Sequence, residues 1–306
     1  MAARSVVVRR TGVQAAWRAM GRSSRLRLLG LASSVVVLSL LFVRPLAQLL
    51  DLALQNDLHS YVPLVPVISA YLLYSQANYV GSYRTSIGAA AILAAAGVAA
   101  LVASFQFDDR LSVDDALPLR MLAYVSVLGA SGFLFVGSDR MRAAAFPVAF
   151  LVFMVPLPGV AVNWLELKLV EASADAAALL FTWTGTPLFR QGTVFTLPNI
   201  VLEVAQECSG IRSTVVLFIT SVLASNLFLQ STWRRIAIVA FVIPLAIVRN
   251  GFRVLVIGLL CVYVGPHMSD SFIHHSGGPI FFVLSLAPLS LFLVWLRRHD
   301  RVGARS

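Results

Sequence analysis

Charge is what this sequence has least of. Asp, Glu, Lys and Arg make up only 12% of the 306 residues, about half the roughly 25% of a soluble domain. A chain so poor in charge cannot cover a soluble globule. With 58% hydrophobic residues it is not a disordered chain either. Cysteine is nearly absent: Cys208 and Cys261 are too few for a disulfide framework. No Lys/Arg run carries interleaved aromatics, so the net charge of +10 does not mark a nucleic-acid surface. No phosphate loop and no zinc-type Cys/His spacing occur, so no metal or organic cofactor is implied.

What the sequence does have is long apolar runs. Eight segments, at about 28–49, 62–77, 86–104, 117–137, 143–158, 209–229, 236–256 and 279–296, approach the roughly 20 residues that a membrane-crossing helix needs. The expected fold is therefore an all-α polytopic membrane protein with about eight transmembrane helices. A single bundle over 28–296 lies between a basic N-terminal segment, 1–27, and a basic tail, 297–306. No small-x-small cleavage site follows the first run, which reads as an uncleaved first helix rather than a signal peptide.

Basic residues orient the spans. With the N-terminus inside, the inner loops collect Arg84, Arg140, Arg142, Arg234, Arg235 and the arginines of both ends, 16 of the 24 basic residues. An excess of cytoplasmic Lys and Arg sets orientation. Both termini are expected in the cytoplasm.

One outer segment, about 159–207, is far longer than the others and is not polar. Val162, Leu165, Leu169, Ala172, Ala176, Leu179 and Trp183 recur at helical spacing, which predicts an amphipathic helix at the membrane surface or against the bundle. Thr184-Gly185-Thr186-Pro187 ends it. Thr193–Leu197 and Ile200–Val204 flank Pro198-Asn199, which predicts a β-hairpin between spans five and six.

Ionisable residues near membrane spans are functional hypotheses by default. Three groups stand out, and the topology brings all three to the outer face. They are Glu207-Cys208-Ser209-Gly210-Ile211-Arg212-Ser213, Arg249-Asn250-Gly251-Phe252-Arg253, and His274-His275-Ser276-Gly277-Gly278. Arg253 lies 18 residues past Arg235, about 27 Å along a helix and close to one hydrocarbon thickness. Together they offer a thiol, guanidinium groups and imidazoles. A thiolate made by a nearby cation or helix N-terminus is a nucleophile. An imidazole can move the proton, and a fixed arginine can hold an oxyanion.

Plainer readings compete with these. A membrane cysteine is usually a small buried hydrophobe, and Cys261, in Leu259-Leu260-Cys261-Val262-Tyr263 with no charged neighbour, is read that way. Arg44, Arg110 and Arg120 read as interfacial anchors, and His267 as a solvated loop histidine. Cys208 differs because Glu207, Ser209 and Arg212 surround it.

The ordered set of motifs resembles the exosortase/archaeosortase family. Glu207-Cys-Ser-Gly-Ile-Arg-Ser213 comes first, then Asn250-x-x-Arg253, then His274-x-x-x-Gly278 with Phe281-Phe282. Upstream stand His59-Ser-Tyr-Val-Pro63, Pro156-Leu-Pro158, Gly185-x-Pro187, Arg190-x-Gly192 and Leu197-Pro198. The resemblance covers roughly 57–296. One departure is Pro279, where an aromatic is common after the glycine. The resemblance implies a multi-pass cysteine transpeptidase or peptidase of the cytoplasmic (inner) membrane, with its active site on the extracytoplasmic face. It would cleave exported proteins that end in a Pro-Glu-Pro-type motif, a transmembrane helix and a basic tail, in association with exopolysaccharide production. Carried over by position, Cys208 is the nucleophile, Arg253 the arginine and His274 the histidine. His275 is a second candidate beside it. Glu207, Arg212, Asn250 and Arg190 are expected to support the site or bind substrate. The acceptor is an amine or lipid of unknown identity, or water. The rival readings are a transporter, which would want inverted repeats that the sequence lacks, and a non-catalytic scaffold for polysaccharide export.

Overall fold

The computed structural model describes residues 21–75, 85–106, 113–198, 200–204, 210–265 and 278–303. Expectations on Asn199, Glu207, Cys208, Ser209, His267, His274 and His275 lie outside the described residues. The chain divides into two compact units. One is Met1–Asp51 with Val62–Pro156, and the other is Leu52–Tyr61 with Leu157–Ser306.

The first unit is a helical bundle. It comprises α1 (Arg22–Leu41), most of α2 (Val43–Gln55), α3 (Leu64–Ser75), α4 (Ile87–Gln106), α5 (Val113–Phe135), α6 (Ser138–Ala143) and α7 (Ala145–Phe150), which runs into a 3₁₀ turn at Leu151–Met154. α4 is rich in alanine, the best helix former, and lies closely along α5. A Cβ at Gly97 would stand 2.8 Å from Val127 Cγ2 and 3.1 Å from the Ala123 carbonyl oxygen. Lipid-solvated helices gain their contact this way, through small residues and close backbones. Serines supply the polar links: Ser39 Oγ pairs with Tyr124 Oη at 3.1 Å, and Ser69 Oγ donates to the Pro147 carbonyl at 2.7 Å.

The second unit holds a 3₁₀ turn, Asp57–His59, then α8 (Gly159–Thr184), strands β1 (Phe189–Gln191), β2 (Val194–Leu197) and β3 (Ile200–Glu203), and helices α9 (Ile211–Phe228), α10 (Thr232–Tyr263) and α11 (Gly278–Gly303). The expected hairpin is present: β2 and β3 pair antiparallel with Leu197 opposite Ile200 and Val194 opposite Glu203. The sheet has a third strand, β1, joined to β2 through Gly192 with Gln191 opposite Val194. The expected helix of the insert is present too, and it ends at Gly185 with φ of +68°.

The buried stripe of α8 is not the one its spacing suggested. Val170, Ser173, Ala174, Ala177 and Phe181 are buried, whereas Leu179 and Trp183 are 54% and 74% exposed. The helix is apolar on more than one side, so periodicity alone picked a flanking stripe. Its buried side packs on α10. A Cβ at Gly251 would meet the Ala176 Cβ at 2.8 Å, and one at Gly258 would meet the Phe181 ring at 2.5 Å.

α10 is also longer than the expected segment 236–256. Its 32 residues span about 48 Å, against roughly 30 Å of hydrocarbon. Two apolar clusters divide it. One, Leu217, Leu229, Ile238, Val242, Leu289 and Leu296, joins the first part of α10 to α9 and α11. The other joins Val254, Ile257 and Cys261 to Ala174, Ala177 and Phe181 of α8 and to Phe195 and Leu202 of the sheet. Arg249, Asn250 and Arg253 sit at the junction.

Six described helices are long and apolar enough to cross a membrane: Arg22–Leu41, Ile87–Gln106, Asp115–Phe135, Ile211–Phe228, Thr232–Tyr263 and Ile280–Asp300. A seventh crossing exists if Ala145–Met154 and Gly159–Thr184 count as one broken span. Eight was therefore an approximate number. The expected span 62–77 is a helix of 12 residues among the described ones, and the expected 143–158 breaks up before Pro156 and Pro158. The chain is an all-α polytopic membrane protein with one small sheet.

Candidate active site

Helices α9 and α10 form an antiparallel pair about the short connection Leu229–Ser231. Counting equal lengths back and forward from it puts the start of α9 opposite Arg249. The contacts agree. Arg249 Nη2 donates to the Gly210 carbonyl oxygen at 3.2 Å and to Thr214 Oγ1 at 3.3 Å. The same carbonyl accepts the Thr214 backbone N–H at 3.0 Å and the Thr214 hydroxyl at 2.8 Å. Helix, cap residue and guanidinium are thus tied at one point.

Gly210 permits this. Its φ is +69°, and a Cβ there would stand 2.8 Å from Arg249 Nη2 and 3.3 Å from Asn250 Oδ1. A side chain at 210 would be strained by its backbone, would push the Arg249 guanidinium aside and would press on Asn250. The Cys motif and the Arg-Asn motif are therefore in direct contact through Gly210, two residues after Cys208 in the chain.

Arg249 is only 7% exposed. Among the described residues no carboxylate pairs with it, and its Nη1 has no hydrogen-bond partner. Desolvating a cation costs several kcal/mol, and bonds to two neutral oxygens at about 1–3 kcal/mol each offset only part of that. Arg253 lies one turn further along α10, on the same face, and is half-buried. Asn250 is buried between them.

Arg212, on the first turn of α9, is treated differently. Its Nη1 meets Asp57 Oδ2 at 2.5 Å, and both side chains are mostly in solvent, 55% and 78% exposed. Asp57 belongs to the 3₁₀ turn that carries His59. That turn is capped by Asn56 Oδ1, which accepts the Leu58 N–H at 2.9 Å, and His59 is buried. Beside it, burial pushes the Tyr61 phenol up to about 12, which keeps it neutral. The early histidine segment thus stands at the start of α9. Sequence reasoning singled out His59 but not Asp57, Gly210 or Thr214 as contacts. The antiparallel register of α9 and α10 would have pointed to the last two.

Arg190 is engaged in the sheet. It donates through Nε to the Gly192 carbonyl at 2.6 Å and through Nη2 to Asp175 Oδ1 at 2.7 Å, and it lies over the Phe195 ring. These contacts fasten β1 to α8. On α11, Phe281 packs edge-on against Phe252 of α10, with ring centroids 6.3 Å apart. The start of α11, which follows the histidine motif, therefore lies beside the residue that precedes Arg253. Cys261 is buried in the apolar cluster beneath the sheet, as its flanking sequence suggested.

No curated protein and no solved structure matches the chain. The family model of transmembrane exosortases matches residues 53–291. That range takes in the His59 segment, the insert, and the cysteine, arginine and histidine motifs, most of the chain. The protein belongs to the exosortase family.

Proposed function

We propose that this chain is a membrane-embedded cysteine transpeptidase or peptidase that cleaves C-terminal sorting signals of exported proteins. Family membership supports a transpeptidase-like role in general. The observation that carries the finer reading is the seating of Gly210 on Arg249 and Asn250, because it brings two of the three motifs to one level beside the helix N-terminus that follows Cys208.

In this reading the substrate's C-terminal helix lies against the bundle within the lipid, with its Pro-Glu-Pro-type motif at the outer surface of the inner membrane. The Cys208 thiolate attacks the scissile carbonyl carbon. Arg253 holds the oxyanion, and the C–N bond then breaks. His274 passes the proton it took from the thiol to the leaving amine, and the C-terminal helix departs. The product is a thioester on Cys208. An amine or lipid acceptor, or water, attacks the thioester and gives its proton to His274, and the C–S bond breaks to release the Cys208 thiolate. Glu207 and Asn250 shape the site, Arg212 supports it by tying the start of α9 to Asp57, and Arg190 braces the sheet beside it. Both chain termini lie in the cytoplasm.

Co-expression with a candidate substrate tests this. Wild type should release the C-terminal helix, and Cys208→Ala should accumulate in the membrane and leave the substrate whole. Processing by Cys208→Ala at the wild-type level rules the enzyme reading out.

A further inference from the structure

We infer that Arg249 is a positioning residue for the nucleophile: it fastens the turn that follows Cys208 and is the fixed cation that keeps the thiol ionised. The inference rests on the proposed role of Cys208 and adds a residue that the motif comparison did not assign.

Two arginines stand near the N-terminus of α9. Arg212 is closer in sequence, but its side chain is 55% exposed and bound to Asp57. Water screens that charge and the carboxylate opposes it. Arg249 is 7% exposed and meets no carboxylate among the described residues, so water screens its field far less than that of Arg212. It is also held in place, with Nη2 on the Gly210 carbonyl and Thr214 Oγ1. Its Nη1 keeps a buried donor that has no partner among the described residues.

The positive end of α9 acts in the same direction, and Gly210 brings it no capping side chain. This gives a reason for glycine two residues after the cysteine. With φ of +69° and 2.8 Å from a would-be Cβ to Arg249 Nη2, no larger residue lets the guanidinium approach so closely.

The other charged or titratable groups around this turn are Asp57 and His59 on the 3₁₀ turn, Arg212 on α9 and Arg253 on α10. On α8, Glu171 is paired with Lys168 and Asp175 with Arg190. The charged end of α11 lies away from the turn, where Asp300 meets Arg234. Glu207, His274 and His275 lie outside the described residues.

The test measures iodoacetamide labelling of Cys208 against pH in the full-length membrane protein, with Cys261→Ala as background. The thiolate displaces iodide, so the rate follows the thiolate fraction. Arg249→Gln should move the profile to higher pH, slow labelling at pH 7 by about tenfold or more, and lower kcat with little change in KM. Arg249→Lys should keep the profile within about threefold, since it retains the charge. Arg212→Gln should also stay within about threefold. A wild-type profile for Arg249→Gln, or a larger shift for Arg212→Gln, overturns the inference. If Arg249→Gln fails to accumulate, Gly210→Ala decides, because its Cβ displaces the guanidinium: a profile moved to higher pH supports the inference, and a wild-type profile overturns it. Failure of the underlying reading looks different, because Cys208→Ala would then process substrate whatever the labelling shows.

Discussion

Arg234 and Arg249 lie on one helix, fifteen residues apart, and meet opposite surroundings. Arg234 is paired with the Asp300 carboxylate at the far end of α11. Asp300 also accepts the Gln230 N–H at 2.5 Å, and Arg235 Nε donates to the Leu229 carbonyl at 2.9 Å. These three charges have an evident structural use, joining the α9–α10 connection to the end of α11. Arg249 is more deeply buried and meets only neutral oxygens among the described residues. A cation supplied with an acid locks helices together. One buried without an acid costs stability, and the reason to keep it is chemistry at the place where it sits.

Substitutions can break that comparison, most severely at the reactive end. Arg253→Lys keeps the charge but loses the planar fork of donors. It should lower substrate processing by about 10²–10³-fold if Arg253 holds the oxyanion, whereas Arg234→Lys should process normally. His274→Ala should be comparably severe and should flatten the pH dependence of processing, with His275→Ala as its control. Dead His275→Ala beside active His274→Ala would reassign the proton carrier.

A smaller effect is expected at Gly210, and the molecule provides its own control. Gly185 and Gly210 have nearly the same φ, +68° and +69°, but a Cβ at Gly185 meets nothing within 4 Å while one at Gly210 meets Arg249 at 2.8 Å. Gly185→Ala should cost only the backbone strain, about 1–2 kcal/mol, and keep its activity. Gly210→Ala should cost that strain as well and lose at least about tenfold in processing. Thermal melting and processing measured side by side separate the two. Equal losses of activity would mean that the Arg249 contact does not matter to the site.

The smallest effects belong to the structural residues. Asp300→Asn should lower the melting temperature and leave processing intact. Cys261→Ala removes one buried sulfur from the apolar cluster and should cost about 1 kcal/mol, again without loss of processing.

Much of the fold was legible because lipid demands long apolar helices. The β2–β3 hairpin was legible from two β-prone runs about Pro198-Asn199. Strand β1 was not: three residues, Phe189–Gln191, carry too little pattern, and Gly192 was the only mark of its turn. The buried stripe of α8 was misread because apolar residues face both the bundle and the outside, so spacing does not distinguish them. α10 runs past the expected end at 256 because its apolar run continues beyond Arg253, where it packs on the sheet and α8. In the site, residue types and order pointed to Cys208, Arg253 and His274. What no local pattern shows is the contact of Gly210 with Arg249, 39 residues away. It follows from the helix register rather than from either motif.

The most direct measurement of the central claim is the mass of the enzyme during turnover. Wild-type protein, quenched in acid while it processes a substrate, should carry the upstream substrate fragment on the peptide that contains Cys208, and neutral hydroxylamine should release it as expected of a thioester. The peptide containing Cys261 should carry nothing. Processing that continues with no adduct on Cys208, and that persists in Cys208→Ala, would contradict the account.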